Sequence, residues 1–301
     1  MNNRVLCLYY HRVNDLRNDV NSLCVTPEKF RNQMIYLKNN YNIVEFKADW
    51  NRCRGKNICI TFDDGYLDNL EIALPILEEL KIPATFFISS GFFYQNREFW
   101  WDELESILLD GDCSEEEFIL SDSRFGCKWD TSTYKKRENC FAALSFLMKN
   151  AISEERREDW IKQLWKWKKV ERKVRKSHLP MTMEQCIKMN DSQLVSIGAH
   201  TSSHVSLGYR SFSEQEFEIK DSIDKISKLL SEKIEIFSFP FGCQDDFNDD
   251  SVEICKRNGI KKIATTVPGL WSNNDSILIP RNVVGDVGVL DFAEQIEKKW
   301  K

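Results

Sequence analysis

Two adjacent carboxylates and a pair of histidines carry the chemistry legible in this sequence. The run Thr61-Phe62-Asp63-Asp64-Gly65 follows the apolar stretch Ile58-Cys59-Ile60 and precedes a helical pattern. Carboxylates at the C-terminal end of a parallel strand lie where α/β enzymes place their active sites. Neighbouring carboxylates repel, so both ionise comfortably only where a cation or a donor stabilises one of them. The same letters also fit a helix N-cap Asp followed by a turn Gly. The second run is Gly198-Ala199-His200-Thr201-Ser202-Ser203-His204, again just after a strand-like stretch. The chain has four His, and these two stand four residues apart, a spacing that presents both imidazoles on one side of a helically turning backbone. With Asp64 they make a carboxylate and two imidazoles, the donor set that suits zinc, cobalt or iron and leaves positions for water and substrate.

The elements that must position these residues alternate in type. Short β-branched or aromatic runs at 4–9, 43–46, 58–62, 84–89, 195–199, 236–239, 263–266 and 277–279 read as strands buried on both faces. Between them lie helical patterns, one opening at Thr26-Pro27-Glu28, one at Ser213-Glu214-Gln215-Glu216 read as a capping box, and a last one over 291–300. The β, α, β, α order predicts parallel strands with helical crossovers. Residues 96–180 break the rhythm, with helical patterns at 100–109, 134–149 and 154–176 and no convincing strand, and read as a largely helical insertion. Within it, residues 156–178 hold ten Lys or Arg and three Asp or Glu, interleaved with Trp160, Trp165 and Trp167. A basic amphipathic helix with tryptophans can lie on an anionic membrane surface, and it can equally pack its aromatic side inward with the cations solvated.

The two chemical runs resemble the first and second signatures of the polysaccharide deacetylase family, the NodB-like carbohydrate esterases, and the likeness extends over residues 3–91 and about 181–285. It implies an α/β fold, a distorted (β/α) barrel of seven or eight strands, and one such domain spanning 1–301 with the insertion at about 96–180. It also implies hydrolysis of a carbohydrate N-acetyl group by a metal-activated water. By position, Asp63 becomes the general base, and Asp64, His200 and His204 the ligands of a divalent metal, zinc first, with cobalt, nickel or iron also suited. Thr201 reads as a supporting hydrogen-bonding residue or an ordinary turn residue. The third signature, usually Arg-x-Pro-Tyr, appears as Ser238-Phe239-Pro240-Phe241-Gly242. Its main-chain N–H at Phe241 would help hold the oxyanion, while the orienting Arg is missing and Arg281 is the candidate replacement. The family's C-terminal His is also absent, since no His follows His204. A similar Tyr-His segment in one branch of the family points to His11 as general acid. Tyr66, Pro240 and above all Trp271 are the candidate sugar contacts, with Trp100 and Trp101 behind them. His178 reads as solvent-facing, without a role.

Composition narrows the alternatives. Forty-two Lys and Arg against forty-seven Asp and Glu give a net charge of −5, so the chain has no electrostatic footprint for nucleic acid. The hydrophobic share of 42% supplies a core, and ten scattered Cys without a Cys-x-x-Cys pair read as reduced, mostly buried thiols. The N-terminus shows no secretion signal, and no apolar run approaches the ~18 residues of a membrane span. The expected setting is therefore cytoplasmic, at the inner face of the membrane if the basic helix touches lipid. The expected partner is an N-acetylated sugar or glycan precursor, with oligomeric state open. A catalytically silent glycan-binding barrel and a deformylase of a formamido sugar are the competing readings.

Overall fold

The alternating runs fold into a ring of parallel strands. The computed structural model describes residues 3–16, 18–111, 115–122, 126–150, 153–272 and 276–300. The chain divides into two compact units, Met1–Gln95 with Pro180–Lys301, and Asn96–Leu179.

In the larger unit the strands Arg4–Tyr10, Lys56–Phe62, Ala84–Ile88, Val195–Ala199, Ile236–Ser238, Lys262–Ala264 and Leu278–Ile279 pair in that order, each parallel to the next. After Leu278–Ile279 the chain passes Pro280 and continues as Arg281–Val283, which pairs in parallel with Arg4–Tyr10. Proline cannot donate to a ladder, so it marks the point where one strand ends its pairing on one side and begins on the other. This step brings the sheet round to its first strand and makes seven barrel positions, with Trp271–Ser272 added antiparallel beside Arg4–Tyr10.

Alternation along each strand divides two cores. Leu6, Leu8, Tyr10, Ile58, Ile60, Phe62, Phe86 and Ile88 face outward into a cluster shared with the surrounding helices. Val5, Cys7, Cys59, Phe87, Ile236, Ala264 and Ile279 fill the ring together with Phe46, Trp50 and Trp271. Phe87 needs room that only a glycine opposite can give, since a Cβ on Gly198 would sit 2.5 Å from its ring. The helix Pro27–Asn40 begins with proline in its first turn. The capping box of the helix Phe212–Leu230 is Ser211 with Glu214, two residues earlier than the sequence suggested.

The Asn96–Leu179 unit holds the helices Trp100–Leu108, Tyr134–Asn150 and Glu154–Lys168, and also a strand pair absent from the sequence reading, Glu117–Ser121 antiparallel to Gly126–Asp130. Only two residues of the first strand, Phe118 and Leu120, alternate inward, too short a period-two signal to stand out. The basic helix ends at Lys169 in a left-handed cap, well before 176. Its aromatic side is consumed by the unit's own core, with Trp160 fully buried, Trp165 6% exposed, and the Trp167 indole N–H donating to the Glu117 carbonyl. Three arginines in this helix and the segment after it are paired. Arg156 pairs with Asp122, Arg172 with Glu103 and Glu158, and Arg175 with Glu98, Glu105 and Asp110. Over residues 96–179 the sequence has seventeen Lys and Arg and seventeen Asp and Glu, so the local basic excess is balanced within the unit. Two of the three tryptophans of that helix therefore serve the unit's own packing, while Trp167 is half-buried. His178 is 5% exposed rather than solvent-facing, its Nδ1 3.0 Å from the Ser177 hydroxyl.

Nine of the cysteines are free thiols, and Cys113 lies outside the described residues. Among the described residues no helix is long and apolar enough to cross a membrane.

Candidate active site

The site is built at the C-terminal ends of the ring strands. Lys56–Phe62 ends in Asp63, whose N–H continues the ladder to the Tyr10 carbonyl at 3.0 Å. The chain then turns sharply through two positive φ values, 74° at Asp64 and 88° at Gly65. A Cβ on Gly65 would lie 2.9 Å from the Ile88 side chain, so position 65 needs glycine for space as well as conformation. The turn sends the two carboxylates to different surroundings although they are neighbours in sequence.

Asp63 is 2% exposed and gripped by Arg281, which is fully buried. Arg281 Nη1 donates to Asp63 Oδ1 at 2.8 Å and Nη2 to Oδ2 at 2.6 Å. The same guanidinium donates to the Thr61 hydroxyl at 3.0 Å, the Ser238 hydroxyl at 2.9 Å and the Thr265 carbonyl at 3.0 Å. All five bonds run to groups of the barrel interior, and the fork geometry is the one that only arginine offers a carboxylate. Burial pushes the Asp63 carboxyl up, but the charge of Arg281, then that of His200, and the bonds from the guanidinium hold it below the usual range. Ser238 occupies the third-signature position where an arginine was expected, and its small side chain leaves space for a guanidinium arriving from the Arg281–Val283 strand.

Asp64 is 3% exposed and faces the histidines. Its Oδ1 is 3.1 Å from His204 Nε2 and 3.4 Å from His200 Nε2, yet makes no hydrogen bond. Against the cost of burial, the charge of His204 and the contacts of both imidazoles hold this carboxyl well below its usual range. Asp64, His200 and His204 each present one ligand atom, and the three atoms lie within 4.8 Å of one another. His200 Nδ1 is 2.7 Å from the Ser238 carbonyl, which orients Nε2 toward Asp64 in the manner of a metal-binding imidazole. A buried carboxylate oxygen without a hydrogen bond, flanked by two imidazole nitrogens, one of them oriented by the Ser238 carbonyl, fits a divalent metal, and the N/N/O donor set suits zinc and its neighbours.

The two histidines do not converge by lying on a helix. Residues 201–206 are a loop, and Thr201 and His204 adopt φ of 61° and 51°. A left-handed β-branched residue is an outlier that surrounding bonds must impose. They come from two directions. The Ser89 hydroxyl donates to the His200 carbonyl, Ser90 N–H to the Thr201 carbonyl and Gly91 N–H to the Ser202 carbonyl. On the other side, Glu218 accepts the N–H groups of Ser202 and Ser203 at 3.0 and 2.9 Å. Sequence reasoning missed Glu218, Ser89 and Gly91, which carry no motif. The one available signal was Glu218, an acid on the buried face of an amphipathic helix.

Phe241 is a fourth non-glycine site residue with positive φ, 60°, with its carbonyl held by the Thr266 hydroxyl at 2.6 Å and its ring 4.8 Å from that of His204. His11 lies at the break after the first strand, where Asn69 Nδ2 donates to its carbonyl at 2.8 Å. Its ring meets Tyr9 edge-on at 5.6 Å, and it is close enough to act electrostatically on Asp63 and Asp64.

The expected sugar contacts fare differently. Trp271 is 4% exposed and packs against Trp50 at 5.3 Å, closing the ring interior instead of facing a ligand. Tyr66 is fully buried, with the Arg12 guanidinium 4.1 Å above its ring, so that face is taken. Pro240 is also buried, its carbonyl accepting the Gly242 N–H. Trp100 and Trp101 belong to the core of the Asn96–Leu179 unit, 8% and 6% exposed. Aromatics flanking a motif filled space because large rings bury the most area.

Comparison with known proteins shows the family. The family model described as polysaccharide deacetylase matches residues 51–115 and 137–263, well over half of the chain. Among solved structures, the deacetylase PplD of Streptococcus pyogenes, in complex with acetate, superposes with a TM-score of 0.63 at 18% identity, covering 100% of both chains. IcaB from Ammonifex degensii gives 0.62 at 17% identity, covering 98% of this chain and 96% of that one. BC0361, a polysaccharide deacetylase from Bacillus cereus, gives 0.60 at 20% identity, covering 98% and 69%. At these identities the likeness is one of fold. Comparison with curated proteins gave no match.

Proposed function

The chain belongs to the polysaccharide deacetylase family, and from that premise we propose that it removes an N-acetyl group from a carbohydrate in a metal-dependent hydrolysis, releasing acetate and a free amine. The observation that carries the reading is the separation of Asp63 from Asp64. One carboxylate is forked by a buried guanidinium, and the other is turned toward two imidazoles. Adjacent acids held in different environments take different roles.

Asp64, His200 and His204 would hold the metal, zinc being our first assignment. A divalent ion there supplies Lewis acidity to the acetyl oxygen and lowers the pKa of water. Asp63 is the general base. Both its oxygens accept from Arg281 and each retains a second lone pair for the proton of the attacking water. Arg281 keeps that carboxylate ionised and aimed. The Phe241 main-chain N–H is assigned to the oxyanion that develops on the acetyl group, and the Thr266 bond to the Phe241 carbonyl fixes that peptide. His11 donates a proton to the departing nitrogen, an imidazole being suited to proton transfer near neutral pH. The substrate is an N-acetylated sugar or glycan precursor, and the acetate in the PplD structure is the expected acid product here.

The test pairs metal content with turnover. Wild-type chain should carry about one zinc, cobalt, nickel or iron, and His204→Ala should lose it. Asp63→Asn should retain the metal and lose acetate release by a factor on the order of 10²–10⁴. Loss of metal in Asp63→Asn with retention in an Asp64→Asn variant would reverse the two assignments. Formate in place of acetate would identify a formamido substrate.

A further inference from the structure

Tyr9 stands between Arg281, the partner of the proposed base, and His11, the proposed acid, and neither motif includes it. It lies on the inward face of the first strand, two residues beyond Cys7, and its backbone is paired on both sides, with Thr61 and with Val283. The Arg281 guanidinium sits over its ring at 4.9 Å from the centroid. His11 abuts the same ring at 5.6 Å, nearly perpendicular at 78°. The ring is therefore held by the residue that orients Asp63 on one hand and by the proposed acid on the other.

Among the described residues the Tyr9 hydroxyl makes no hydrogen bond, whereas the next residue, Tyr10, donates to Gln33 and Tyr41 donates to Glu297. Tyrosine hydroxyls in enclosed positions ordinarily find a partner. Partial burial, together with nearby Asp63 and Cys243, keeps this one protonated and hence a donor, although the Arg281 charge opposes the shift. Those neighbours place it among the base, its arginine and the loop that follows Phe241. Tyr9 is also half-buried rather than closed off, so a ligand in the site can reach it.

We propose that the Tyr9 hydroxyl is a substrate-binding donor, its direction fixed by the Arg281 and His11 contacts to the ring, which takes an oxygen of the N-acetylated sugar. The inference rests on the deacetylase reading. Trp271, Tyr66 and Pro240 are closed in the fold, and Tyr9 takes over part of the recognition expected of them.

The probe is the tetramer of N-acetylglucosamine with zinc-loaded full-length chain. Tyr9→Phe keeps the ring contacts and removes only the donor. The expected result is a KM raised about three- to tenfold, the range of one neutral hydrogen bond, with a much smaller fall in kcat and an unchanged melting temperature. In the Asp63→Asn background, where no turnover interferes, calorimetry should show Tyr9→Phe weakening tetramer binding by the same factor. Tyr9→Leu, which also removes the platform under Arg281, should lower kcat as well. Equal KM and equal affinity in Tyr9→Phe would overturn the proposal. If wild-type chain releases no acetate but Tyr9→Phe still weakens binding, the donor stands and the hydrolase reading falls. A chain that neither binds nor cleaves the tetramer overturns both for this class of sugar.

Discussion

Replacing Arg281 with methionine removes the only cation that touches Asp63 among the described residues, at nearly unchanged length. Five hydrogen bonds go with it, two of them charge-assisted and bidentate. The larger effect is on what remains, a carboxylate 2% exposed with its counter-charge gone. Breaking a buried pair from one side costs about 3–5 kcal/mol, a large part of the ~5–15 kcal/mol by which a domain is stable. The chain should still fold at 25 °C, with its urea midpoint sharply lowered. Burial would then act on Asp63 with only His200 and His11 opposing it, raising its carboxyl, so the fraction of ionised base at neutral pH falls. Acetate release should drop by about 10²–10⁴-fold at pH 7, and the acid limb of the pH–rate profile should move to higher pH. Arg281→Lys keeps the charge without the fork and should lie between. Arg281→Met combined with Asp63→Asn should regain much of the lost stability, because no unpaired charge is left buried, but none of the activity. The reasoning fails if Arg281→Met keeps the wild-type acid limb and loses less than about 1 kcal/mol.

Three further outcomes are expected. His11→Ala should slow hydrolysis of an acetamide by about 10²-fold or more while sparing an activated aryl acetate, whose leaving group needs no proton; equal losses on both substrates would remove His11 from the acid role. Gly91→Ala places a methyl 2.5 Å from the Ser202 carbonyl oxygen, and the shift it forces on the His200–His204 loop should weaken zinc binding at least tenfold by competition with a chromophoric chelator. Lys262 donates to the Phe46 and Ala48 carbonyls, and burial pushes its amine down to about 8. A folded value below the unfolded one near 10.4 means that its contribution to stability is fully present above the unfolded value and is lost as pH falls through about 8. The stability of wild-type chain relative to Lys262→Met should therefore rise between pH 8 and 10.5, and a flat difference in urea unfolding would refute it.

The parts of this protein legible in its sequence are those whose signal is local. Strand periodicity, the parallel order of elements and the two motif-bearing loops depend on side chains close together in the chain. They mark the ring, its insertion and the residues Asp63, Asp64, His200 and His204 without any long-range information. The hairpin at 117–130 escaped because its alternation is two residues deep, and the Ser211 cap was misplaced because serines at 211 and 213 offer the same chemistry.

What tertiary structure alone decided is which distant groups share space. Arg281 meets Asp63 from 218 positions away because the step at Pro280 swings the last barrel strand onto the first. The histidine loop owes its left-handed turns to Ser89, Gly91 and Glu218, which belong to other elements. Aromatics show the limit most clearly. Trp271 and Tyr66 looked like sugar platforms and became core, while the unmarked Tyr9 stays half-buried with its ring between Arg281 and His11. A side chain's type states what it can bond to, but closure of the ring determines what it meets, because burial and contact belong to the assembled surfaces and not to any one segment.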